Sequence, residues 1–221
     1  MGAPAGARER REGAGPVEGR PRLRGEDRAS TAPGQEQRLA RATRHDPRHI
    51  IISSDNRFAY LLNELTAEVT TLALDAGSGQ LKPVGTAKAV PPDSKLVPGM
   101  PRGAVGTPGA NQAPRNTDND VWASDLHLTP DGRFLYAAER TNASITGFSV
   151  DGATGKLTYV SSTPTEKQPR GFAIDPSGRF MVVSGELSQT LSSYAIGADG
   201  GLRHIGSYAG GKGANWVEIV D

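Results

Sequence analysis

The chain has 221 residues, no cysteine and a formal charge of +1, so one or two domains fit its length, and disulfides, zinc–thiolate sites and thiol catalysis are excluded. With 36% hydrophobic and 22% charged residues, the bulk composition is that of an ordinary soluble globular protein. No apolar run approaches the roughly 20 residues that span a bilayer, which leaves any membrane role peripheral.

That average hides two unlike parts. Residues 1–45 contain ten arginines, no lysine and no aromatic residue, with only Met1, Val17, Leu23 and Leu39 as large apolar side chains. Such a segment cannot bury enough surface to offset its chain entropy and is predicted to be a disordered tail. Its six acids leave it at +4, and the rest of the chain therefore carries −3. The acids are interspersed and no aromatics are present to stack on bases, so neither a nucleic-acid nor a membrane partner is expected. "MGAPAGARERREG" lacks the apolar stretch of a secretory signal, and the acids argue against a transit peptide. The Arg/Gly/Ala/Pro/Glu bias also looks like GC-rich coding sequence read from the wrong start or frame.

From Pro47 onward the chain repeats itself. "PRHIIISSDNRFAYLLNELTAEVTTLALDAGSGQLKPVG" aligns with "ASDLHLTPDGRFLYAAERTNASITGFSVDGATGKLTYVS" from Ala123 and with "QPRGFAIDPSGRFMVVSGELSQTLSSYAIGADGGLRHIG" from Gln168. A fourth unit starts at "GANWVEIVD" and stops. In the second unit the pattern predicts strands at about 124–128, 134–138, 144–150 and 157–162, joined by hairpin turns such as "TPDGR" and "DGATGK". Four strands in a unit of about 40 to 50 residues mark a β-propeller blade. The fold class is thus all-β: about three four-stranded antiparallel blades and a final strand over 46–221, an incomplete propeller with almost no helix.

Arg133 and Arg179 are 46 residues apart, whereas Arg57 and Arg133 are 76 apart, so an insertion separates the first two units. It covers about 88–122, is rich in Pro, Gly and Asn, and reads as a long disordered loop.

The charges fall into a pattern across the units. If each first hairpin pairs symmetrically about its turn, Arg48 faces Glu64, Ser124 faces Arg140 and Arg170 faces Glu186. His49, Asp125 and Gly171 sit one step further in. Arg57, Arg133 and Arg179 recur in every unit, which assigns them to the scaffold. The rim positions differ from blade to blade, as one asymmetric ligand requires, although ordinary rim ion pairs would look the same. His127 lies on the face of Asp125 and reads first as a blade histidine bonded within the fold. Trp122 and Trp216 read as packing residues, and "GGKGANW" lacks a phosphate-loop pattern. Asn142-Ala143-Ser144 is a glycosylation sequon that matters only in a secreted protein.

The segments "DLHLTPDGRFLYAAERTNASITGFSV", "TPTEKQPRGFAIDPSGRFMVVSGE", "DPRHIIISSDNRFAYLLNELTAEV" and "GGKGANWVEIVD" closely resemble the seven-bladed β-propeller lactonase family, and within it the 6-phosphogluconolactonases. The resemblance covers about 46–87 and 122–221. It implies a cytoplasmic enzyme of the pentose phosphate pathway that hydrolyses 6-phospho-D-glucono-1,5-lactone to 6-phosphogluconate without metal or cofactor. The family also includes muconate cyclases, with an Arg, Glu, His and Arg cluster at the channel mouth. By motif, Arg48 in "PRH", Glu64 in "NEL" and Arg140 in "ER" are the catalytic candidates. His49, Asp125, His127 and Arg170 are the substrate-binding candidates. The family's cluster histidine comes from an earlier blade that is not in this chain. Seven blades need about seven units, so the chain is expected to be the C-terminal half of a lactonase behind an unrelated tail, weakly active or inactive. Its open blade edges are expected to favour self-association. The competing expectation is a non-catalytic propeller module that binds a partner at its rim.

Overall fold

A computed structural model describes residue 2 and residues 46–100 and 116–220. The tail read at 1–45 lies outside these residues apart from Gly2, as does the centre of the insertion. Twelve strands form three antiparallel sheets, each of four strands in sequence order. Blade 1 holds β1 (Pro47–Ile52), β2 (Phe58–Asn63), β3 (Glu68–Leu74) and β4 (Leu81–Lys88). Blade 2 holds β5 (Ala123–Leu128), β6 (Phe134–Glu139), β7 (Ser144–Val150) and β8 (Leu157–Pro164). Blade 3 holds β9 (Pro169–Ile174), β10 (Phe180–Gly185), β11 (Thr190–Ile196) and β12 (Leu202–Ala209). No helix occurs among the described residues.

Burial follows from stacking. Blade 2 has a neighbour on each face, so all six residues of β6, FLYAAE, are buried. A strand covered on both sides reads as a continuous apolar run rather than as an alternation. Tyr60, Leu62 and Val69 of blade 1 pack with Leu126, Leu135 and Phe148 of blade 2 in one core. Tyr136 and Ile145 of blade 2 pack with Phe172, Met181, Val183 and Tyr194 of blade 3 in a second. Among the fourth strands β4 and β12 are mostly exposed and β8 is mostly half-buried, and in each the ladder skips one residue: Val84, Val160 and Ile205. Such bulges blunt an outer edge against further pairing.

Turn chemistry joins neighbouring blades. The first hairpin of each blade turns at Asn56, Gly132 or Gly178, all with φ between 55° and 71°, a conformation that glycine and asparagine accept readily. The turn arginine then reaches the next blade. Arg57 donates to the carbonyls of Gly152 (3.1 Å) and Ala153 (3.0 Å), and Arg133 to that of Ala198 (3.0 Å). Phe58 lies against Gly155 and Phe134 against Gly200, where an added Cβ would fall 2.5 Å and 2.4 Å from the respective ring. Phe180, the third residue of this kind, is 41% exposed.

Two sequence expectations change in detail. The flanks of the insertion are tied down: Ala89 N–H donates to Ala67 O, Gly99 N–H to Leu65 O, and Val97 bridges Asp120. Only 101–115 lie outside the described residues. The closing strand read at "GANWVEIVD" is not a strand, because residues 214–220 have no ladder partner among the described residues. They pass beside β9, close enough that a Cβ on Gly171 would meet Asn215 O at 2.9 Å.

Candidate active site

At the inner rim each first hairpin carries a bulge, and this sets the site. The β1–β2 ladder pairs His49 with Leu62 and Pro47 with Asn63, which leaves Arg48 unpaired between them. β9 leaves Arg170 unpaired in the same way, and β5 skips both Ser124 and Asp125. The ladder runs one residue out from the symmetric pairing along the whole hairpin, with Ile50 opposite Leu61 rather than Leu62, and the bulge, which adds a residue to one strand only, makes the offset two at the rim, where Pro47 faces Asn63. The Arg48–Glu64 and Arg170–Glu186 pairs survive the offset because long side chains bridge it, at 3.2 Å in each case. The Ser124–Arg140 pair does not form. Ser124 Oγ donates instead to Pro169 O (2.5 Å) in blade 3, and Arg140 turns towards blade 1.

Glu64 is the centre of the first cluster. Its Oε1 accepts from Arg48 Nη1 (3.2 Å), from Trp122 Nε1 (2.7 Å) and from Arg140 Nη2. Its Oε2 accepts no hydrogen bond from the described residues. Burial alone would raise the Glu64 pKa, but Arg48, Arg140 and the indole N–H outweigh it and hold the carboxyl below its ordinary value.

Arg140, 2% exposed, is fixed on all sides. Its Nε donates to Trp122 O (3.0 Å), its Nη2 also donates to Ala123 O (3.2 Å), and its guanidinium lies 3.6 Å over the Trp122 ring. Burial pulls its pKa down to about 10, with Arg48 adding to the effect and Glu64 opposing it. The group still remains cationic at neutral pH. Arg48 Nε donates to Ser124 O (2.6 Å), so both guanidinium groups that hold Glu64 are themselves held by blade 2.

A second cluster adjoins the first. Asp125 lies between two histidines, with His49 Nδ1 at 3.4 Å from Oδ1 and His127 Nε2 at 3.3 Å from Oδ2. Backbone N–H groups of Leu126 (2.9 Å) and Phe172 (3.1 Å) complete it, so one carboxylate links all three blades. Burial opposes ionisation of Asp125, but His127 and the two N–H groups prevail and lower its pKa. Burial lowers the His49 pKa despite the pull of Asp125, which favours the neutral ring near pH 7. His127 meets Phe172 edge-on at 4.7 Å. Arg170 and Glu186 form a separate pair at the rim of blade 3.

Two residues of this site escaped the sequence reading. Trp122, read as packing, bonds the central carboxylate. Glu139 is fully buried and accepts from Trp122 N–H (2.7 Å) and Asn142 N–H (2.6 Å), positioning the segment that carries Trp122. Burial raises its pKa in spite of those donors. The "ER" dipeptide was the available signal for Glu139, but only its arginine matched the family pattern. Beyond the cluster, Trp122 and Arg140 also line a cavity of about 350 Å³ shared with Thr141, Lys167 and Gln168.

Comparison with known proteins follows the same lines. The lactonase, 7-bladed β-propeller family model matches residues 29–219. A 6-phosphogluconolactonase from Pectobacterium carotovorum subsp. carotovorum is 38% identical over 79% of this chain and 46% of the relative. One from Serratia proteamaculans is 35% identical over 85% of this chain and 50% of its own length. The chain thus spans about half the length of these curated relatives. Among solved structures, the periplasmic gluconolactonase of Pseudomonas aeruginosa superposes with a TM-score of 0.60 at 32% identity, over 77% of this chain and 41% of that one. A protein from Lactobacillus plantarum gives 0.65 at 25% identity, over 79% and 45%. With three consecutive blades of matching architecture, and with the match running over most of its length, this chain belongs to the seven-bladed β-propeller lactonase family.

Proposed function

We propose that the rim cluster is part of a lactone-hydrolase site whose substrate is a sugar-phosphate lactone, 6-phospho-D-glucono-1,5-lactone, opened by water to 6-phosphogluconate in the pentose phosphate pathway of the cytoplasm. The observation that carries this reading is the Glu64 carboxylate held between Arg48 and Arg140 from two different blades. Water adding to the lactone carbonyl puts negative charge on its oxygen, and a guanidinium fixed beforehand stabilises that charge without reorganising. Arg140, stacked and buried, and Arg48 are the groups for this task.

Glu64 Oε2 takes the proton of the attacking water. As the tetrahedral adduct collapses, the bond from C1 to the ring oxygen breaks, and that oxygen takes up a proton to become the hydroxyl of the product. The arginines make Glu64 a weaker base than a free carboxylate but keep it ionised, and so able to accept, throughout the neutral range. His49, Asp125 and His127 contact the sugar hydroxyls. Arg170 binds the phosphate, sharing its guanidinium with Glu186, whose two oxygens lie 3.2 and 3.3 Å from the same Nη1.

The test is hydrolysis of freshly prepared lactone above its spontaneous rate. Glu64→Gln and Arg140→Ala are each expected to lower kcat by about 100-fold or more, the scale of losing one such electrostatic group, with folding checked by circular dichroism. Turnover unchanged by both substitutions would remove the site.

A further inference from the structure

Trp122 stands just before β5, at the end of the insertion, and touches both sides of the ionic cluster. Its indole N–H donates to Glu64 Oε1 at 2.7 Å, while its ring lies under the Arg140 guanidinium at 3.6 Å. Its backbone N–H is held by buried Glu139 at 2.7 Å, and its carbonyl accepts from Arg140 Nε at 3.0 Å. A carboxylate oxygen has two lone pairs, so three donors converging on Oε1 leave it no capacity for a reactant. All three donors are anchored, Trp122 through its backbone N–H and the two arginines through carbonyls of blade 2, and the indole N–H is the one that can be removed with both guanidinium groups left in place.

We propose that Trp122 is a positioning residue: it commits Glu64 Oε1 to the protein and so leaves Oε2 as the oxygen that meets the attacking water. This rests on the reading of Glu64 as proton acceptor, but the contact can be tested without turnover. The other charged or titratable groups around it are Arg48 and His49 of β1, Asp125 and His127 of β5, Glu139 at the end of β6 and Arg140 after it, Arg170 of β9, and Asp118 and Lys167, which line the cavity beside Trp122.

The chain contains two tryptophans, and the second, Trp216, is 72% exposed. In a Trp216→Phe background, all tryptophan emission comes from Trp122. Titrated from pH 7 to pH 3, that emission is expected to change in a step with its midpoint below 4.5, the ordinary glutamate value. The step should vanish in Glu64→Gln and persist in Glu139→Gln. Trp122→Phe keeps a ring under Arg140 and removes only the donor. It is expected to raise the Glu64 carboxyl midpoint, read by ¹³C NMR, by about one pH unit, the scale of one charge-assisted hydrogen bond. In an active preparation it should lower kcat about tenfold with KM unchanged and move the acid limb of the pH profile upward with the carboxyl midpoint. Emission that is flat across the range, a step that survives Glu64→Gln, or a Glu64 midpoint unmoved by Trp122→Phe would each overturn the proposal. Because the optical and carboxyl titrations need no substrate, a chain without lactonase activity would favour the fragment or binding readings of the site, while the same titrations still decide whether Trp122 holds Glu64.

Discussion

Glu139 and Glu64 differ only in what surrounds them, and their titrations diverge accordingly. Glu139 has lost its water and accepts two backbone N–H groups, and burial raises its pKa. Its contribution to stability is full below the unfolded value and is lost as pH rises through the folded one. Glu64 behaves in the opposite way. Its folded pKa is lowered, so its contribution is present above 4.5 and is lost as pH falls through the folded value. Thermal melts taken from pH 7 to pH 3 should therefore show a steeper acid-side loss for the wild type than for Glu64→Gln. Glu139→Gln is a sharper structural test. Its amide would turn an NH₂ towards one of the two backbone donors and leave a buried N–H without an acceptor, at a cost of about 1–3 kcal/mol. Chemical denaturation reads that loss directly.

At the scale of elements, the blade contact is a repeated device: a turn arginine and the phenylalanine after it, received by a glycine turn of the next blade. The receiving glycines have φ of 71° at Gly155 and 82° at Gly200, and a phenyl ring occupies the place of a Cβ. Gly79 has the same backbone, with φ of 70°, but nothing within 4 Å. Gly79→Ala should thus cost only the left-handed strain, about 1–2 kcal/mol. Gly155→Ala should cost a further 1–3 kcal/mol or so for ring overlap, and denaturant midpoints of the two variants would resolve the difference. The recurrence of Arg57, Arg133 and Arg179 was legible in the sequence because every blade needs the same turn. Their receiving carbonyls were not, because Arg57 and Gly152 are 95 residues apart and only stacking joins them.

For the whole molecule, position in the stack decides protection. Blade 2 is covered on both faces, and β6 is its fully buried strand, whereas β4 and β12 are outer strands with mostly exposed residues. Amide hydrogen exchange should be slowest in β6 and faster by orders of magnitude in β4 and β12, since local opening needs little surface there. Equal rates across the three would mean that the blades open as one unit rather than strand by strand.

Much of this architecture follows from the amino-acid order alone. The repeat, four strands to a unit, the turn positions and the placing of unlike charges at equivalent rim positions all rest on short apolar runs and on turn residues acting over a few neighbours. Tertiary structure alone decided which of those charges meet. Glu64 takes Arg140 from 76 residues away and Trp122 from 58, while Ser124, the partner that symmetry assigned to Arg140, binds blade 3. The physical reason is that pairing within a hairpin is a matter of counting, whereas the rim is shaped by bulges and by the stacking of separate sheets, and neither leaves a spacing in the chain.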